Sequence, residues 1–274
     1  MFDMNNQASN IMNNQQMMNT YFNNLQNQFT PGFKAEAVNF NDLMGSTGSS
    51  GKAKKKQNSI IFTQGAISQT GRMYDLAING SGFFNLSDGV NTHFSRDGRF
   101  VPSAEGKLVH EASGMKAKAF KLDAQGNISG GLTDIDMSLD PATQKFMGQY
   151  DNFSFDSSGK MYGERTISDP VTGQQVKETV PIYQMALSSF ANPSGLTRSG
   201  TTTFSESETS GKAVQGVSGQ GALGQVVPNS VELANVDYAQ QAAAIGMAKI
   251  NYNANFAAFR AMDKLLEQAI QLVK

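Results

Sequence analysis

Residues 238–273 read YAQQAAAIGMAKINYNANFAAFRAMDKLLEQAIQLV, and the pattern within them decides how the chain ends are built. Tyr238, Ile245, Tyr252, Phe259, Leu266 and Val273 recur every seven residues, while Ala248, Met262 and Ala269 stand three places further on. That spacing is one face of a helix that keeps meeting a partner, as in a coiled coil. Gly246 is the segment's only glycine and no proline interrupts it, so a continuous rod of roughly 50 Å is predicted at 1.5 Å per residue. Asp237 is placed to cap the helix, with Gln240 three residues later to reach back.

The opposite end repeats the device with almost no charge. Residues 1–30 hold nine Asn, five Gln and a single charged side chain, Asp3. Such a composition resembles a low-complexity tract, but Met4, Ile11, Met18 and Leu25 again fall seven apart, and Ala8, Phe22 and Phe29 follow three of them by four places. This is an amphipathic helix, expected to end near Phe29 because Thr30 precedes Pro31 and Gly32 follows.

Between the ends the period changes. From residue 74 to 122, turn signals arrive at Gly80, Asp88-Gly89, Asp97-Gly98, Glu105-Gly106 and Ser113-Gly114, with short apolar runs at 74–78 and 83–86 between them. This rhythm predicts an all-β region, with further strands at 115–122, 152–155 and 180–187. The fold class is therefore α+β: N- and C-terminal helices forming a coiled-coil-like domain (1–33 plus 236–274) and a central β-rich domain (74–204). An extended connector (34–73) and a Gly/Ser-rich return linker (205–235) join them, and within these the stretches 45–56 and 205–224 are expected to be flexible unless a partner orders them.

Composition narrows the chemistry. The 274 residues carry 22 Lys and Arg against 23 Asp and Glu, a formal charge of −1, which argues against nucleic acid as a partner. No run approaches the ~18 apolar residues of a membrane span, so direct membrane insertion is not expected. With no cysteine, disulfides, thiolate zinc sites and thiol nucleophiles are excluded. No cationic stretch followed by an apolar one opens the chain, so a secretory signal is not visible, and if the protein leaves the cytoplasm another exporter is expected to carry it.

Each candidate constellation fails on spacing. His93 and His110 are two ligands at most and read as exposed strand residues. Asp134, Asp136 and Asp140 begin like a calcium loop, but Leu139 stands where glycine is needed and Lys145 where the bidentate Glu belongs. Gly80-Ser81-Gly82 has Asn85 in place of a third glycine and no helix after it, so it reads as turn punctuation. Lys52, Lys54, Lys55 and Lys56 form a basic cluster in a Gly/Ser context, best read as a solvated or partner-facing loop. No catalytic centre and no cofactor site emerge. The chain is not expected to be an enzyme.

What remains is the pair of seams. Only 16% of residues are charged, against about 25% in typical domains, so one pairing of the two helices leaves apolar and amide surface that identical copies can share. A repeated head-to-tail contact that does not close gives a helical filament or tube. The residues expected to mediate assembly are Met4, Ile11, Met18, Phe22, Leu25, Phe29, Tyr238, Ile245, Tyr252, Phe259, Met262, Leu266 and Val273.

Several segments then resemble the bacterial flagellar rod and hook axial proteins. Asn23-Asn24-Leu25-Gln26-Asn27 followed by Thr30-Pro31-Gly32-Phe33-Lys34 is similar to that family's N-terminal motif, with Pro31 in place of a Thr. Gln64-Gly65, Thr70-Gly71, Asp75-Leu76-Ala77-Ile78 and Gly80-Ser81-Gly82-Phe83-Phe84 resemble its next block, and Phe94-Ser95-Arg96-Asp97-Gly98-Arg99-Phe100 resembles its Arg-Asp-Gly signature. The segments 190–196, 204–206 and 251–266 continue the likeness, with Met247-Ala248-Lys249 departing from it. The resemblance implies a homopolymeric axial structure, other rod and hook proteins as partners, and export through the flagellar type III apparatus. It also implies a basal-body location in the periplasmic space. Length favours a rod member, distal before proximal, over the larger hook subunits; a non-flagellar oligomeric adhesion module is the alternative from another class. Isolated seams are marginal in water, so circular dichroism should show a gain of helix when monomer converts to polymer.

Overall fold

The computed structural model describes residues 4–38, 58–137, 150, 152–168 and 174–272. The chain is α+β and divides into two units. The first comprises residues 1–29, 35–61 and 236–274; the second comprises 30–34 and 62–235. The lysine cluster at 52–56, Asp140 and Val273 lie outside the described residues.

In the first unit, helix α1 (Met4–Gln26) packs against helix α2 (Tyr238–Leu272). A hydrogen bond from Asn24 near the end of α1 to Gln241 near the start of α2 makes the pair antiparallel. Asp237 caps α2 as its spacing predicts, accepting from the Gln240 backbone N–H at 3.1 Å. Helix α1 stops three residues earlier than expected. The Asn27 N–H is shared between the Asn23 and Asn24 carbonyls at 3.2 and 3.1 Å, and the Gln28 N–H donates to the Leu25 carbonyl at 3.3 Å, so the i→i−4 ladder tightens to i→i−3 bonds and ends there. The strands Glu36–Val38 and Asn58–Ile60 pair antiparallel in the same unit.

The second unit is built on an antiparallel sheet of thirteen strands. Its main path runs Asn152–Phe155, Lys160–Ser168, Gln175–Met185, Lys116–Leu122, Phe83–Ser87, Thr92–Ser95, Thr203–Ser205 and Thr197–Arg198. Two separate ladders join Gln225–Pro228 to Leu76–Asn79 and Ser230–Glu232 to Ile67–Gln69. Leu76, Ile78, Phe84, Leu86, Phe100 and Leu108 are fully buried in one cluster, each contributing about 1.5–3 kcal/mol by leaving water. Hairpins turn where aspartate captures the backbone: Asp88 accepts from the N–H groups of Val90 and Asn91, Asp123 from Gln125 and Asn127, and Asp156 from Ser158 and Lys160.

Three expectations are corrected here. The stretch expected to be a flexible return linker contains the strands Val214–Gly216, Gln225–Pro228 and Ser230–Glu232. Short side chains replace apolar packing there. Ser207 Oγ donates to the Gly195 carbonyl and Glu206 accepts from the Ala213 N–H. His110 is fully buried rather than exposed, and Asp97-Gly98 is an interior contact rather than a surface turn. A Cβ on Gly98 would overlap the Leu76 carbonyl, and a Cβ on Gly32 would overlap the Asp97 backbone. Both glycines are needed for close approach of main chains.

Asp97 explains why this corner is dry. Burial alone would push its carboxyl up, but His110 Nε2 at 3.2 Å and two bonds from the Arg99 guanidinium at 3.0 and 2.8 Å hold it below its ordinary value of 3.8. A depressed carboxylate pKa gives stability that is complete above the unfolded value and is lost as pH falls through the folded one. Asp97→Asn should therefore cost roughly 3–5 kcal/mol at neutral pH by stranding Arg99. In urea titrations, the gap between wild type and variant should narrow steadily below about pH 4.

Candidate functional site: the helix faces and the buried anchor

Helix α2 is apolar on two opposite faces. Gln241, Ile245, Ala248, Tyr252, Asn255, Phe259 and Met262 alternate by four and three and are buried or half-buried, forming the seam that meets α1. Two residues further round, Met247, Ile250, Ala254, Ala257, Ala261 and Leu265 follow nearly the same rhythm and are exposed. An offset of two residues is about 200° at 3.6 residues per turn, so this second stripe points away from the first. Ile250 is 68% exposed and Leu265 64%. Its alanines leave room for another helix to approach closely.

The lengths of the helices add a second exposed region. Helix α1 has 23 residues and α2 has 35, a difference of roughly 18 Å. Half-burial along α2 ends at Met262, and residues 263–268 are all exposed, including Leu266, where the seven-residue ladder continues without α1 beside it. Ile270 is 61% exposed on the same overhang.

The residues expected from sequence to mediate assembly divide accordingly. Ile11, Met18, Leu25, Ile245, Tyr252, Phe259 and Met262 are half-buried, whereas Phe22, Phe29, Tyr238 and Leu266 are exposed. Met4 is the first residue of α1. The outer stripe was not singled out by the seven-residue ladder, although counting three and four from Met247 finds it.

Asn24 fixes the register of this unit. It is fully buried, with its amide donating to Gln241 Oε1 at 3.0 Å and to the Glu36 carbonyl at 2.8 Å, while its oxygen accepts from the Glu36 N–H at 2.9 Å. One side chain thereby joins both helices and the strand that follows α1. The Asn-Asn-Leu-Gln-Asn motif needs an amide at this position because the site demands donor and acceptor together.

A different anchor lies within the β unit. Residues Thr30 to Lys34 belong to it, although they directly follow α1 in sequence. Lys34 is fully buried and its ammonium bonds Glu232 Oε1 at 2.6 Å and the Thr63 carbonyl at 2.7 Å. Glu232, also fully buried, accepts from Arg96 Nε at 2.8 Å and from the Gly65 N–H at 2.8 Å. Arg96 Nη1 donates to the Gly80 and Gly82 carbonyls. Beside them, the Arg198 guanidinium lies 4.8 Å from the Phe33 ring centre and donates to the Lys34 carbonyl. Burial pulls the Lys34 ammonium below its usual range, and the Glu232 carboxylate opposes that pull.

The constellations tested from sequence are placed otherwise. His93 bonds Asp88 and Ser205 at a half-buried edge. Asp134 pairs with Lys116 and Lys118, and Asp136 with Lys107. The Gly80-Ser81-Gly82 turn supplies carbonyls to Arg96. Among the described residues no helix is long and apolar enough to cross a membrane, and no three His, Asp or Glu side chains converge as metal ligands would.

Replacing Asn24 with Ala strands the Glu36 N–H and the Gln241 amide, for a cost of roughly 1–3 kcal/mol. Hydrogen exchange should report it as faster exchange along α1 and at 36–38, with the β-unit amides unchanged.

No family model matches the chain. It is similar over nearly its whole length to the flagellar basal-body rod protein FlgG of Buchnera aphidicola, at 28% identity over 93% of each chain. The FlgG of Bacillus subtilis is 27% identical over 96% of each. A shorter match reaches the flagellar hook protein FlgE of Treponema pallidum, 35% identical over 41% of this chain and 28% of that one. The hook likeness is partial whereas the rod likeness runs over nearly the whole chain, and the latter takes in the segments that carry Asn24, Lys34 and Arg96 as well as those that form α2: these comparisons support a flagellar rod and hook family, with the chain most similar to the distal rod protein FlgG.

Proposed function

We propose that this structural subunit of the flagellar basal-body rod polymerises through its terminal helices into a hollow axial shaft. The observation that carries the reading is the double-faced α2. One apolar stripe is occupied by α1, while the other, from Met247 to Leu265, meets only solvent in the single chain. Exposed apolar surface of this extent marks an interaction site. Copies that share it bury side chains worth about 1.5–3 kcal/mol each when fully covered, repeated at every subunit.

In this reading the seam and the stripe have separate tasks. Ile245, Tyr252, Phe259 and Met262, with Ile11, Met18 and Leu25 on α1, hold the two helices as a coiled-coil-like pair. Met4 and Val273 extend the same ladders toward their ends. Phe22, Phe29, Tyr238 and Leu266, together with the outer stripe, form contacts between copies. Torque then passes through close-packed side chains, which transmit strain because protein interiors have low compressibility. The mechanism is mechanical, and no reaction is assigned. The other rod and hook proteins are its neighbours along the shaft, and the flagellar type III apparatus delivers it to the periplasmic part of the basal body.

The test separates the two faces. Ile250→Asp with Leu265→Asp alters only exposed positions, so the purified monomer should keep its stability within about 0.5 kcal/mol while polymer formation and motility are lost. Phe259→Asp should instead weaken the helix pair itself, so that the gain of helical circular dichroism at polymerising concentrations is reduced. Normal rods in the first strain, examined by electron microscopy of basal bodies, would refute the assignment of the stripe.

A further inference from the structure

Lys34 closes the first stretch of chain in the β unit, 30–34, and Glu232 lies near the end of the second, 62–235. The first lies eight residues after the end of α1 and the second six before the start of α2. The two stretches are bonded twice at Glu232, through its ion pair with Lys34 at 2.6 Å and through the Gly32 N–H, which donates to the Glu232 carbonyl at 2.7 Å. Glu232 is also held by Arg96 and by the Gly65 N–H, and Leu233 N–H donates to the Ala66 carbonyl.

A buried ion pair is a poor source of net stability, because desolvation offsets most of the attraction, and well-packed apolar residues often serve as well. It is directional, however. Two segments held together by a charge-assisted bond and a backbone bond resist sliding, since both bonds must break together. We infer that Glu232 is a positioning residue that clasps the segment following α1 to the segment preceding α2, so that a pull on either helix-bearing segment is shared by both. The rod reading supplies the source of the force; the clasp itself is a property of one chain.

The natural sequence has no cysteine, so introduced thiols give unique handles. In the full-length protein, Gln28→Cys with Val236→Cys loads the clasp directly, while Val90→Cys with Gln125→Cys loads exposed loops elsewhere in the β unit. Glu232→Gln should shorten the lifetime at a fixed load roughly tenfold in the first geometry, the equivalent of losing one charge-assisted bond, and leave the second unchanged. Lys34→Met, which leaves Arg96 to hold Glu232, is a second variant and should act in the same direction. Equal shortening in both geometries would show a merely structural contribution, and no shortening in either would show no contribution; both results overturn the inference. Because the measurement uses isolated chains, it fails or succeeds independently of the basal-body phenotype that tests the rod reading.

Discussion

A carboxylate removed from water must be compensated in full, and Glu232 governs much of this structure for that reason. Its oxygens face an ammonium, a guanidinium and a peptide N–H. Removing one partner would leave a charge stranded in an apolar interior, at several kcal/mol. The demand explains why residues 30–34 follow the β unit rather than the helix they adjoin. It also accounts for the glycines around them: Gly32 admits the Asp97 backbone, and Gly80 and Gly82 offer carbonyls that hold Arg96 in place.

The helices obey a looser rule. Their seam is a matter of periodic burial, and the buried polar contact from Asn24 to Gln241 sets the register. Apolar ladders tolerate sliding; a buried amide with both donor and acceptor engaged does not. Scarcity of charge on α1 has the same logic. A helix rich in Asn and Gln can be covered by neighbours without the desolvation cost that Lys or Glu would impose.

The two helices, the Asp237 cap and the hairpin rhythm were legible because each rests on local chemistry: periodic apolar residues, a capping carboxylate, and Asp or Gly at turns. The helical overhang was half legible. The ladder through Leu266 was visible, but nothing in one chain's spacing says where α1 stops covering it. Lys34, Arg96 and Glu232 were not legible as a group, since 198 residues separate the first from the last, and long-range ion pairs leave no periodic trace. His110 was misjudged for a related reason. A histidine in an alternating strand reads as exposed unless its buried partner, here Asp97 thirteen residues earlier, is known. The stretch after Phe204 misled through composition, because Ser and Thr side chains can order a backbone without apolar bulk.

The clasp between Lys34 and Glu232 also bears on when the molecule can finish folding. Its second half comes near the end of the polypeptide, so the β unit cannot be completed progressively from the amino end, and closing so large a loop carries an entropic cost before any bond compensates it. Contacts of this sequence separation slow folding relative to helical bundles. The local hairpins can form as they are made, but the segment that carries Lys34 stays without its carboxylate until Glu232, 198 residues later, has been synthesised.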